Sequence, residues 1–183
     1  DTIASVLERT RVFFGASSCF ALTREDETDP WVMRKADMGT GTQRPCVLDG
    51  DAAATLIEMP TGSSALFRAS LLPLLPLPGA FLVNDNGCAG WYKAQVAVGS
   101  RLADMLEARS FISVPIPLRS GEGRIFVVAP EATLNKGDVR FLTQVVAQAF
   151  PVIENIELLD RMASDAARRE RQRVHLVGDR FFQ

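Results

Sequence analysis

The chain has 183 residues, of which 47% are hydrophobic and 23% are charged, and its formal net charge is −2. This length and composition are typical of one globular domain with a full core, and the weak charge gives no general attraction to nucleic acid or to membrane surfaces. Three prolines interrupt the longest apolar run, residues 70–83, so no run forms a membrane-spanning helix. We therefore expect no nucleic-acid partner and no membrane insertion.

The first part of the chain predicts two helices and three strands. A capping residue opens the chain, apolar residues follow at helical spacing, and a glycine ends the helix. The stretch "SCFALTRE" alternates as a half-buried strand and forms a hairpin with "WVMRKAD". In chain order the elements are a helix at about 2–14, strands at 18–25 and 31–37, a loop at 39–45, a helix at 49–60 and a strand at 63–70.

The middle of the chain is less regular. Residues 71–92 show no clear period, whereas residues 94–109 predict a helix with one apolar face. Residues 110–119 and 123–130 are the clearest strands, and the turn "SGEG" joins them as a hairpin. The first of these strands contains two prolines. Because proline cannot donate a hydrogen bond to a neighbouring strand, this strand should have an edge or a bulge there.

From about Leu134 to Val174 the pattern predicts one helix, which is several times longer than the average of about 12 residues. Asn135 or Asp138 could cap its first turn. Pro151 lies inside it and should bend it, because proline removes one backbone hydrogen bond and crowds the preceding turn.

Apolar residues recur along this helix at alternating gaps of four and three residues, as in a coiled coil. The residues are Leu142, Val146, Ala149, Ile153 and Ile156 and, after a slip in the register, Leu159, Ala163 and Ala166. This spacing predicts a coiled-coil seam with one discontinuity.

Strands in hairpins with helices at both ends of the chain indicate an α+β fold. We expect a central antiparallel sheet of about five to six strands, flanked by helices, with a long C-terminal coiled-coil helix. A doubly wound nucleotide-binding fold is disfavoured because regular strand–helix alternation and a GxGxxG motif are missing.

The strands from "SFISVPIPLR" to "GRIFVVAP" and the helix that follows them resemble the corresponding elements of a GAF domain. The matching residues in the hairpin are Ser113, Val114, Pro115, Ile116, Leu118, Gly123, Ile125 and Val127. Those in the exit helix are Asp138, Phe141, Leu142, Ala147, Ala149, Ile153, Glu154, Asn155 and Leu158. The resemblance implies a GAF/PAS-like sensor core over residues 1–133. It also implies an exit and dimerisation helix over residues 134–183 that leads to an output domain.

The stretch 163–174 resembles the beginning of the dimerisation helix of a bacterial sensor histidine kinase, in which a histidine accepts phosphate. The only histidine of the chain, His175, falls about one turn before the acceptor position of that motif and has no acidic neighbour. His175 is therefore a weak phosphoacceptor candidate, and a solvated histidine is the favoured interpretation. The arginines of residues 168–173 are interpreted as a charged continuation of the coiled coil.

A GAF domain implies a pocket between the sheet and its cover of loops and helices. The candidate lining residues are Phe20, Trp31, Phe67, Phe81, Cys88, Trp91, Tyr92 and Phe111. Core packing is the favoured role for most of them, because aromatic rings bury large areas. Trp91 and Tyr92 lie in a non-periodic segment, which suits a pocket lid.

No cofactor and no metal are expected. Covalent bilin attachment is disfavoured because Cys88 lacks the neighbouring His and the Asp-Ile-Pro motif of bilin-binding members, and haem is disfavoured because the globular part has no histidine. The three cysteines, Cys19, Cys46 and Cys88, form no CxxC motif and no Cys/His cluster at metal-ligand spacing, so they read as reduced thiols of a cytoplasmic protein.

The sequence thus predicts a sensory GAF domain of a bacterial signal-transduction protein, a two-component sensor histidine kinase above all. It would form a homodimer through the helix at 138–167, bind a small ligand or relay a signal, and catalyse nothing itself. One alternative is a structural dimerisation module without a ligand. Another is a redox enzyme of GAF-like fold that uses Cys46 and Cys88. Because the chain begins with Asp1 rather than Met, we expect a fragment of a longer protein.

Overall fold

A computed structural model describes residues 2–57, 64–68, 79–83, 89–90 and 101–181, with side chains at 2–57, 64–68 and 101–172. The helices are α1 (Thr2–Phe13), α2 (Gly50–Leu56), α3 (helical at 101–105) and α4 (Lys136–Phe181). The strands are β1 (Ser18–Arg24), β2 (Val32–Asp37), β3 (Gly41–Thr42), β4 (Cys46–Val47), β5 (Ser64–Arg68), β6 (Gly79–Val83), β7 (Ala89–Gly90), β8 (Ser110–Pro115) and β9 (Glu122–Ala129).

The strands form one antiparallel sheet with the order β3-β2-β1-β9-β8-β5-β6-β7, and β4 also pairs with β2. Six of the described strands, β1, β2, β5, β6, β8 and β9, have five or more residues. The predicted α+β class and the five to six strands are therefore confirmed. Strand β3 lies within the predicted loop at 39–45, and β4 begins directly after that loop. Each has two residues, which is too short to show alternation in the sequence.

Strand β1 is buried on both faces, so the prediction of a half-buried strand is wrong. Cys19 and Ala21 join a core that includes residues of α1 and α4, whereas Phe20 and Leu22 join a second core that includes residues of α2. The side chains of β1 do alternate between the two faces of the sheet. Because helices cover both faces, each set of side chains packs in its own core and neither set faces solvent.

Strand β8 lies inside the sheet, between β5 and β9. Among the described residues its pairing with β5 ends at Ser113, whereas its pairing with β9 continues to Pro115. Within the described residues Pro115 therefore has a partner only on the β9 side, which is compatible with its missing N–H.

The irregular middle of the chain contains two strands that its sequence does not indicate, β6 and β7. The predicted helix at 94–109 is described only from residue 101, and its described part, α3, ends at residue 105. Glu107 has a φ of 51°, and the Ala108 N–H donates to the Ala103 carbonyl at 2.9 Å. This Schellman-type end turns the chain directly into β8.

Helix α4 begins with a reciprocal cap formed by both candidate residues. The Asn135 Oδ1 accepts hydrogen bonds from the N–H groups of Gly137 at 2.7 Å and Asp138 at 3.3 Å. The Asp138 Oδ2 in turn accepts from the Asn135 N–H at 2.8 Å. The helix then runs for 46 residues and contains Pro151. None of the described helices is both long enough and apolar enough to cross a membrane.

Candidate functional site

Four of the predicted pocket residues meet on the face of the sheet that α2 covers. Phe20 stacks on Phe126 with ring centroids 4.7 Å apart, and Phe67 stacks on Phe111 at 5.5 Å. Trp31 belongs to the same buried cluster. The described rings are thus packed on one another as a core, which is the role favoured for most of them, and their contact with a ligand stays a prediction.

The other four candidates lie outside the part of the chain whose side chains are described. They are Phe81, Cys88, Trp91 and Tyr92. His175 lies in the helical backbone of α4, where side chains are likewise not described. The roles suggested for these five residues stay predictions.

The aromatic face also contains a buried arginine that was not predicted from the sequence. Arg124 is 4% exposed and lies on β9, two residues before Phe126. Its Nε donates to the Ser113 Oγ at 2.9 Å, and burial lowers the pKa of Arg124 to about 10. A charged residue at an inward-facing position of an apolar strand was the available signal. Such a group can anchor an anionic ligand, or it can orient a polar network within the core.

A cleft of about 640 Å³ has its apolar floor on the side of the sheet opposite to the aromatic face. No sequence motif predicted this cleft. It lies where the β1–β2 turn, the segment after β8 and helix α4 approach one another. Ile3, Phe150 and Ile153 give it an apolar floor, and the arginines Arg24 and Arg34 line the side formed by β1 and β2. The volume of the cleft and its lining of both apolar and charged residues are typical of sites that bind small molecules.

Arg24 is held rigidly at the edge of the cleft. Its Nη2 and Nε donate to the Glu122 carboxylate at 2.6 and 3.1 Å, and its Nη1 donates to the Glu27 carbonyl at 2.7 Å. The guanidinium also lies 4.8 Å from the ring centroid of Trp31. Trp31 is thereby fixed beneath a cation at the end of the hairpin.

Two residues of the GAF-like exit helix connect α4 to the segment after β8. The Glu154 Oε1 accepts from the Arg119 N–H at 3.1 Å, and the Asn155 Oδ1 accepts from the Arg119 Nη2 at 2.6 Å. The second carboxylate oxygen of Glu154 is buried and accepts no hydrogen bond from the described residues. Glu154 also lines the cleft, but this oxygen itself has almost no exposed surface.

The apolar residues of α4 form two separate stripes. Leu142, Val146, Phe150 and Ile153 are buried in the core beneath the sheet. The predicted seam is therefore wrong at Leu142, Val146 and Ile153, because these three residues pack within their own chain. A second stripe with gaps of four and three residues is half-buried to exposed. Its members are Val145, Ala149, Val152, Ile156, Leu159, Ala163 and Ala166.

The two described cysteines differ in exposure. Cys19 is fully buried, and desolvation raises the pKa of its thiol. Cys46 is an exposed free thiol, and its proposed redox companion Cys88 lies outside the described residues. Within the described ranges, no three His, Cys, Asp or Glu residues come together as a metal site.

Three solved structures share this architecture. The GAF domain of a cyanobacterial phytochrome with phycocyanobilin bound superposes with a TM-score of 0.58 at 11% identity, over 85% of this chain and 84% of that one. A phycoerythrobilin-bound GAF domain of a cyanobacterial phytochrome gives a TM-score of 0.59 at 11% identity, over 86% of both chains. The red/green cyanobacteriochrome NpR6012g4, in its red-light-absorbing state, gives 0.51 at 11% identity, over 86% of this chain and 94% of that one.

No protein-family model matches the chain, and no curated protein matches its sequence. The chain has the fold of a GAF domain, which confirms the resemblance found in its sequence. Two of the similar structures hold a bilin, so the fold gives no support to the expectation that bilin is disfavoured. That expectation depends on the missing companions of Cys88 alone.

Proposed function

We propose that this chain is a sensory GAF domain of a bacterial signal-transduction protein and that it pairs with a second copy of itself through α4. A two-component sensor histidine kinase is the proposed parent, acting in the cytoplasm, with the chemistry carried out by another domain. The observation that carries the proposal is the second apolar stripe of α4, which continues beyond the sheet.

The spacing of this stripe explains the slip in the sequence pattern. At about 100° of rotation per residue, the buried stripe and the second stripe are roughly 100° apart around the helix axis. From Val145 to Ala166 the second stripe keeps gaps of four and three residues without interruption. When residues of both stripes are joined into one seam, the spacing shows a discontinuity. The second stripe taken by itself is a regular heptad seam.

The exposure of the seam favours an identical helix as its partner. Val152, Ile156 and Leu159 are 55%, 40% and 65% exposed, which is costly for apolar side chains in water. A strict repeat of 3.5 residues fits another helix with the same repeat. One turn before Val145, Phe141 stacks on Phe13 of α1 with centroids 4.7 Å apart, so the apolar surface extends onto α1.

Pairing of this kind would bring the ends of two α4 helices side by side. A ligand or partner that favours one arrangement of the helix pair could then change the output domain, because a packed pair has discrete alternatives. Small-molecule binding is in keeping with the bilin-bound GAF relatives. The tight stacking of Phe20, Phe67 and Phe111 instead favours the alternative of a dimerisation module without a ligand.

Sedimentation or light scattering of the full chain tests the pairing. We expect the wild-type protein to have twice the mass of one chain, and Leu159→Glu to be monomeric because it places a charge in the seam. Leu158→Glu is the matched control: Leu158 is 47% exposed and is the adjacent leucine, but lies off the seam. A monomeric wild-type protein at high concentration, or equal effects of the two substitutions, would contradict the proposal.

A further inference from the structure

Helix α4 leaves the core of the domain after Ile153. This isoleucine is the last residue of the helix that is buried in the core, and almost every side chain from 155 to 172 is exposed. The exposed continuation carries the seam residues Ile156 and Leu159. Because the core no longer holds it, its direction depends on contacts made at the point where it leaves the domain.

Pro151 weakens the helix just before this point. Its ring nitrogen has no N–H, so one backbone hydrogen bond of α4 is missing there, and the ring crowds the preceding turn. A helix bends more readily at such a position than in an uninterrupted stretch. A contact beyond the proline is therefore needed to keep the continuation in one direction.

Arg119 supplies this contact from the segment after β8. Its N–H donates to the Glu154 Oε1 at 3.1 Å, and its Nη2 donates to the Asn155 Oδ1 at 2.6 Å. The second is a hydrogen bond from a charged donor, which is the stronger kind. Among the described residues, no other hydrogen bond joins the domain to α4 beyond Ile153.

The segment that carries Arg119 is itself held in place. Leu118 packs against the core beneath the sheet, and its N–H donates to the Ile116 carbonyl at 3.0 Å. Gly121 has a φ of 84°, and a Cβ there would overlap the Arg24 carbonyl oxygen, so glycine is required. The backbone on both sides of Arg119 is thus fixed to the sheet, and the arginine connects it to α4.

We propose that Arg119 is a positioning residue that holds the continuation of α4 in the direction in which its seam meets a second copy of the chain. This role in pairing rests on the dimer proposed above, whereas the hold on α4 within one chain does not. A helix that is already oriented loses less entropy on pairing than one that moves about the proline. Because a dimer contains two such contacts, loss of the Arg119 side chain counts twice.

Sedimentation equilibrium of the full chain tests the role in pairing. Arg119→Ala should lower the association constant about tenfold, since two hydrogen bonds that orient the helices are lost per dimer. Arg119→Lys should lower it less, because lysine keeps a charged donor for Asn155. Arg44→Ala is the matched control: it removes an exposed arginine between β3 and β4 and should leave association unchanged. Equal association of wild type and Arg119→Ala, or equal losses in Arg119→Ala and Arg119→Lys, overturns the proposal.

Amide hydrogen exchange in the monomeric variant Leu159→Glu tests the hold on α4 within one chain. Adding Arg119→Ala should speed the exchange of the amides at 154–158 by about threefold, whereas adding Arg44→Ala should not. Amides at 139–146, beneath the sheet, should keep their rates in both variants. Unchanged exchange at 154–158 after Arg119→Ala overturns the hold.

The two measurements separate the positioning role from the dimer. A wild-type chain that pairs through Leu159, with Arg119→Ala changing neither association nor exchange, overturns the positioning role and leaves the dimer standing. A monomeric wild-type chain overturns the dimer and the role in pairing together, and the exchange rates at 154–158 then decide whether Arg119 holds α4.

Discussion

The two parts of α4 carry similar apolar patterns in different surroundings. In the proximal part (136–153), Leu142 is 0% exposed and packs beneath the sheet, whereas in the distal part (154–172), Leu159 is 65% exposed. Both leucines belong to runs with gaps of four and three residues. Heptad spacing therefore identifies an apolar stripe but does not say whether the stripe faces the chain's own core or another helix.

The largest expected difference between the two parts is in amide hydrogen exchange. Amides of the proximal part should exchange only on global unfolding, with an opening free energy on the order of 5–15 kcal/mol. Distal amides should be protected mainly by pairing, so their protection should rise with protein concentration and fall in Leu159→Glu. Exchange measured by mass spectrometry at two concentrations checks this. Equal protection of the distal part in the monomeric variant would show that the two parts do not differ as proposed.

A pair of leucine truncations tests the same contrast by stability. Leu142→Ala should lower the free energy of unfolding by about 2–5 kcal/mol, because it leaves a cavity in the core. Leu159→Ala should change it by less than about 0.5 kcal/mol in dilute solution, where one chain is measured alone. Urea denaturation at low protein concentration gives both values. Similar losses for the two variants would mean that the distal part packs on the domain as well.

Elements with local signals were predictable from the sequence. The β8–β9 hairpin has two apolar runs joined by a glycine turn, and α4 has a long helical period and two capping residues, so the hairpin and the beginning of α4 were placed within a few residues. Strands β6 and β7 were missed because their partners, not their own pattern, define them: β6 pairs with β5, and β7 pairs with β6. The burial of both faces of β1 depends on α2 and α4, which lie further along the chain, as well as on the neighbouring α1.

The candidate sites were less predictable than the fold. The residues that line the cleft come from segments that are far apart in the sequence, the first being Ile3 and the last Arg161. No local sequence motif can predict a surface of this kind. Arg124 carried a readable signal, since it is a charge at an inward-facing position of a strand, but its contact with Ser113 depends on the pairing of β8 with β9. The aromatic residues Phe20, Phe67 and Phe111 share one buried cluster, and their predicted role in lining a ligand pocket stays a prediction.

The smallest expected effect concerns the beginning of the proximal part. Asn135→Ala removes the acceptor for two backbone N–H groups of the first turn and leaves the Asp138 carboxylate to act alone, so the free energy of unfolding should fall by about 1 kcal/mol. Gln148→Ala, an exposed change within the same helix, should stay within about 0.5 kcal/mol of the wild type. Because the cap acts on the end of α4 that packs on the sheet, Asn135→Ala should leave the association constant of the dimer unchanged. If association weakened as much as in Leu159→Glu, the cap would be acting through the seam, and the separation between the proximal and distal parts would fail.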